Sequence, residues 1–110
     1  MKRVVLRDVH DEDGVRHLEA RLTDAGDLVI EGQDLGDGVE RFYGAGIREY
    51  EWAWTIRRTH LDLLARALQT EVALVLGELE KRFSHPNCPA LEAFLNTHGI
   101  PMERWSRLGD

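Results

Sequence analysis

The apolar residues of this chain change their spacing once, near residue 58, and that change limits the fold more than any other feature. Before it they recur at every second position: Val4 and Leu6, then Leu18, Ala20 and Leu22, then Leu28 and Ile30, then Tyr50, Trp52, Trp54 and Ile56. A period of two places each set on one face of a β-strand. After it they recur at helical spacing: Leu61, Leu64, Ala65 and Leu68, then Val72, Val75, Leu76, Leu79 and Phe83, then Leu91, Phe94 and Leu95. Strands followed by helices predict an α+β fold with the helices gathered on one face of an antiparallel sheet. The expectation is one domain over 1–110, with strands in 1–58, helices in 59–98 and a short extended tail over 101–110. At 110 residues, such a chain buries roughly two thirds of its unfolded surface around a single core.

The sheet is expected to have four strands, a meander of three plus a fourth, under three helices. HDEDG at 10–14 and TDAGD at 23–27 supply the two turns of the meander, with Gly26 in the left-handed region. GQDLGDGVERFYGAG at 32–46 carries five glycines and reads as a long connection. One helical turn at 39–43 would tuck Val39 and Phe42 inward. EYEWAWTI at 49–56 is the fourth strand, and its aromatic row is read as core, because three apolar helix stripes need a surface to cover. A base-stacking platform would place Lys or Arg between the rings, whereas here Glu49 and Glu51 occupy those positions. Thr59 with Asp62 forms a capping-box pattern for the first helix, and Thr70 is the expected cap of the second. Pro89 opens the third, and Gly99 followed by Ile100 matches a left-handed C-terminal cap. Met102 and Trp105 would anchor the tail.

Charge excludes some functions and favours others. The chain has a net charge of −6. Residues 8–40 hold eleven acids against two bases, while residues 52–110 hold seven of each. Such a surface repels phosphate backbones and anionic lipid and attracts basic partners, so neither nucleic acid nor membrane is an expected partner. No apolar run approaches the roughly 20 residues of a bilayer span, and the N-terminus is too charged for a signal peptide, which predicts a cytoplasmic protein. Twelve arginines against two lysines suit GC-rich bacterial coding sequence.

Motifs for chemistry are incomplete. HDEDG imitates part of an EF-hand, but with Gly14 at loop position six, Ala20 falls where the bidentate glutamate belongs. Gly36-Asp37-Gly38 begins a dinucleotide fingerprint, yet Arg41 takes the third glycine's place and no βαβ unit surrounds it. His85, Cys88 and His98 offer metal-ligand types without a full set, and turn and helix-end roles explain them. The reading is therefore no cofactor, no metal and no catalytic residue. The outer sheet face should carry Glu19, Glu31, Glu49 and Glu51 among Arg7, Arg21 and Arg57. Asp34, Asp37 and Glu40 have only Arg41 near in sequence. Together with Glu49 and Glu51 they are the acids expected to meet a partner.

DAGDLVIEGQDLGDGVE at 24–40, EYEWAWTI at 49–56 and GIPMERWSRLGD at 99–110 resemble blocks of a family of small, uncharacterised actinobacterial proteins. That resemblance implies no catalytic residue. By size, acidity and lack of a catalytic motif, the chain is similar in kind to the immunity proteins of bacterial toxin systems. The expectation is a non-enzymatic acidic module that binds a protein, a basic toxin domain, and inhibits it. Two alternatives stand beside it: a small-ligand binder or enzyme with a pocket between residues 32–46 and the helices, and a structural or regulatory subunit.

Overall fold

The computed structural model describes residues 2–109. Five strands form one antiparallel sheet in the order of the chain: β1 (Arg3–Asp11), β2 (Gly14–Leu22), β3 (Leu28–Leu35), β4 (Glu49–Ile56) and β5 (Glu103–Gly109). The helices are α1 (Asp37–Tyr43), α2 (Leu61–Ala67), α3 (Val75–Phe83) and α4 (Ala90–Thr97), with short 3-10 turns at Arg58–His60 and Val72–Leu74. The α+β class and the helix-covered sheet are as the sequence indicated. The strand and helix numbers are corrected from four and three to five and four.

The core follows the two periods. Val4, Leu6, Leu18, Ala20, Leu28, Ile30 and Ile56 face the helices, which bring Leu61, Leu64, Leu68, Val75, Leu79, Leu91 and Leu95 onto them. Register makes this possible, since Ala20 lies opposite both Val4 and Ile30, and Leu28 opposite Ile56. Trp52 and Trp54 point to the same side, as expected, and pack against the core while remaining partly exposed. Of the aromatic row's residues only Ile56 is fully enclosed, because the helices stop short of Tyr50 and the two indoles.

Three local differences have physical causes. The third strand runs on to Leu35 instead of stopping before Gly32, since residues 32–35 pair with both β2 and β4, and a Cβ at Gly32 would lie 2.2 Å from the Trp52 ring. Gly32 thus makes room for the indole, and the expected loop 32–46 shrinks. Its helical part is α1, which buries Val39 but leaves Phe42 80% exposed, against expectation. The Thr59–Asp62 capping box does not form. Asp27, in the β2–β3 turn, closes that helical entry instead by accepting the Arg58 N–H at 2.8 Å. Nor does Thr70 cap a helix, for its N–H bonds the Ala65 carbonyl at 2.9 Å and so finishes α2.

The tail is extended, as expected, but it is a strand of the sheet. Its residues pair with β4 from Glu103 opposite Thr55 to Gly109 opposite Glu49, while Asp110 lies outside the described residues. Met102 packs against the core as expected, but Trp105 is 54% exposed. At the other edge of the sheet, β1 has a register shift between Val5 and Arg7. The extra residue turns Arg7 to the helix side, opposite Leu18, so the expectation that Arg7 lies on the outer face is also corrected.

Candidate functional site

The sheet face away from the helices is uncovered and carries mostly charge. Alternation and register assemble one row of Trp105, Ala53, Glu31 and Glu19 across four strands, and a neighbouring row of Arg107, Glu51, Gln33 and His17. Ala53 is small, so the space between Trp105 and Glu31 stays open. The result is a depression of about 240 Å³ lined by Glu19, Glu31, Glu51, Gln33, His17 and Trp105 among others, with no Lys or Arg in its lining. Its carboxylates take their cations from outside it: Glu19 meets Arg3 at 3.6 Å, and Glu31 meets Arg21 at 2.6 Å. His17 also lies 2.9 Å from Glu19.

Glu49 and Glu51 share one arginine. Arg107 Nη2 is 3.2 Å from Glu49 and 3.6 Å from Glu51. The Gln33 amide donates to both, at 3.5 and 3.2 Å. Two carboxyls so close cannot ionise independently. The hydrogen bond between them pushes the Glu51 carboxyl up and holds that of Glu49 down.

The other three expected acids lie elsewhere and are not free of cations. Asp34 is on the helix side, opposite Arg16 and Tyr50, and Arg7 Nη2 donates to it at 3.3 Å. Burial pushes its carboxyl up, against the pull of Arg7 and Arg16. Asp37 and Glu40 are on α1, 2.8 and 3.9 Å from Arg48. Glu40 also accepts the Gly46 N–H at 3.1 Å, while Arg41 pairs with Asp13. Nearness in sequence to Arg41 alone did not leave these acids unpaired, because the fold brings Arg7 to Asp34 and Arg48 to Asp37 and Glu40. The five acids thus divide into two groups, Glu49 and Glu51 on the open face, and Asp34, Asp37 and Glu40 on the helix side or at its end.

A second concave site lies on the helix side between the sheet and the start of α4. This cleft of about 350 Å³ is lined by Tyr50, Trp52, Trp54, Arg7, Arg104 and Glu92 among others. The two indoles sit 4.6 Å apart, centre to centre. Arg104 lies 5.2 Å over Trp54 and donates to Glu92 at 2.6 Å. Arg7 Nε is buried and has no hydrogen-bond partner among the described residues. Desolvation, with Tyr43, Asp34 and Glu92 nearby, pushes the Tyr50 hydroxyl up. The spacing of Trp52 and Trp54 signalled this side of the site, but nothing in the sequence signalled Arg7 or Arg104. One needed a bulge and the other an unexpected strand.

The three metal-ligand types noted in the sequence lie in different settings. Cys88 is buried, His98 stacks 4.5 Å from Phe94, and the His85 N–H donates to the Leu6 carbonyl at 2.7 Å. Among the described residues, no three His, Cys, Asp or Glu side chains converge to hold a metal ion, and no helix is long and apolar enough to cross a membrane. No protein-family model, no curated protein and no solved structure matches this chain.

Proposed function

We propose that this protein is a non-enzymatic binding module that docks a basic protein domain on the open face of its sheet, as an immunity-type inhibitor of a bacterial toxin would. The observation that carries the reading is the depression beside Trp105, where a half-exposed indole stands among carboxylates and no cation lines the floor. An exposed Trp is the residue type that anchors interfaces, and the surrounding acids would steer a basic partner toward it. Glu49 and Glu51 belong to this face. Asp34, Asp37 and Glu40 do not, so the docking surface is narrower than the acidic count suggests.

The test is association kinetics with the product of the neighbouring gene, at low and high salt. Glu49→Gln and Glu51→Gln should slow association and flatten its salt dependence, and Trp105→Ala should speed dissociation. Asp34→Asn and Asp37→Asn should leave both unchanged. The opposite pattern would move docking to the α1 side, and a partner of acidic charge would end the reading.

A small-ligand reading has one observation in its favour, the unpartnered Nε of Arg7, but it concerns the aromatic cleft beside α4, whose lining has no residue of 32–46. A planar ligand with a carbonyl acceptor would lie against the indoles and would bond Nε once the Arg7 side chain turned toward the cleft. Saturable quenching of tryptophan emission by nicotinamide, lost in Arg7→Gln, would support it.

A further inference from the structure

The sheet has two edges, and they differ. Along β1 the ladder is broken by the shift between Val5 and Arg7, and the Leu6 carbonyl is taken by the His85 N–H at 2.7 Å. Those features stop another strand from continuing the sheet there. Along β5, pairing with β4 is regular from Glu103 to Gly109, with no bulge and neither Pro nor Lys in the strand. Among the described residues, no other segment hydrogen-bonds its outward side. The strand is exposed along nearly its whole length, Trp105 and Leu108 included.

The sequence of this open edge is complementary to itself. When two copies run antiparallel about Trp105, Trp105 meets Trp105, Glu103 meets Arg107, Arg104 meets Ser106, and Met102 meets Leu108. Each of these pairings except the first occurs twice. They match indole with indole, acid with base, donor with hydroxyl and apolar with apolar, the kinds of cross-strand pair that stabilise sheets. A register centred on Ser106 instead sets Glu103 against Gly109 and Arg104 against Leu108, and loses the ion pairs. We propose that β5 is a homodimerisation edge, joined to a second copy of this chain in the register centred on Trp105. The two-fold axis stands perpendicular to the sheet, so the helices of both copies lie on one side and the open faces join on the other. Glu103, already held by Arg57 at 2.7 Å, and Arg107, already beside Glu49, would extend into one charge network across the axis. This inference does not rest on the docking reading, although both use Trp105, and self-association is measured on this chain alone, without a partner.

Sedimentation equilibrium of the full chain over micromolar to millimolar concentrations tests it. The wild type should show a concentration-dependent dimer, and a monomer throughout would overturn the proposal. Glu103→Arg and Arg107→Glu each set like charges opposite in this register and should each raise the dimer Kd about tenfold or more. Mixed together, the two variants become complementary and should dimerise with each other. Circular dichroism establishes that each is folded. A wild-type dimer that both variants retain at unchanged Kd, or a mixture no tighter than its components, would place the contact elsewhere, as would an edge that pairs only with another protein's strand.

Discussion

Gln69 and Gly99 end helices in the same way, and they should respond oppositely to substitution. Their φ angles are 58° and 65°, and in each case the next N–H reaches back five residues, Thr70 to Ala65 and Ile100 to Leu95. Glycine adopts that region without penalty, and a side chain there costs on the order of 1 kcal/mol. Gly99 has nothing within 4 Å of where a Cβ would stand, so Gly99→Ala should lose about 1 kcal/mol from backbone strain alone. Gln69 is exposed, and Gln69→Gly should gain roughly 0.5–1 kcal/mol. Urea denaturation of both variants measures the two signs. Gly32 is a third case, governed by space and not by φ. Gly32→Ala must push the Trp52 ring aside, which should cost about 1–3 kcal/mol and shift tryptophan emission. An unchanged midpoint and spectrum would show that the ring is not seated on Gly32.

Among the elements, β5 depends most visibly on charge. Arg57 joins three strand ends, donating to Asp27 at 3.2 Å and to Glu103 at 2.7 and 2.8 Å. Hydrogen bonds from Arg57 hold the Glu103 carboxyl below its usual range, and the Arg58 N–H does the same for Asp27. A carboxyl lowered in the folded state is protonated first in the unfolded chain. Its contribution is therefore complete above the ordinary carboxylate values, about 3.9 to 4.3, and is lost as pH falls below them toward the lowered values. Urea midpoints measured from pH 6 to pH 2 should fall less steeply in Glu103→Gln and Asp27→Asn than in the wild type. Equal slopes would mean that these pairs do not hold the strand ends.

For the whole molecule, one core unites residues from Val4 to Ile100, so strands and helices should unfold in a single transition. Leu79 is fully buried against the sheet and Leu74 is exposed on the preceding turn. Leu79→Ala should cost about 2–5 kcal/mol, and Leu74→Ala should stay within about 0.5 kcal/mol. Circular dichroism and tryptophan emission should report coincident transitions in both variants. Separate transitions would show that the helical layer and the sheet are not one cooperative unit.

Wherever burial acts through local spacing, this sequence alone was sufficient. The alternations in β1 to β4 and the helical stripes from Leu61 to Leu95 placed the layers and the inward face, because hydrophobic burial repeats with the period of the backbone; Val72 is the exception, exposed on the 3-10 turn before α3. Gly26 and Gly99 were legible for a similar reason, since a turn or cap needing positive φ selects glycine locally. The fifth strand was not legible, as Glu103, Trp105 and Arg107 alternate with Arg104, Ser106 and Leu108 and give no apolar period. An edge strand exposed on both faces has little burial to reveal it. The helix entry closed by Asp27, the inward turn of Arg7 and the cations beside Asp34, Asp37 and Glu40 likewise depend on residues distant in sequence. Which acids share a surface was therefore decided by strand register and one bulge, because shifting a strand by a single residue exchanges its two faces.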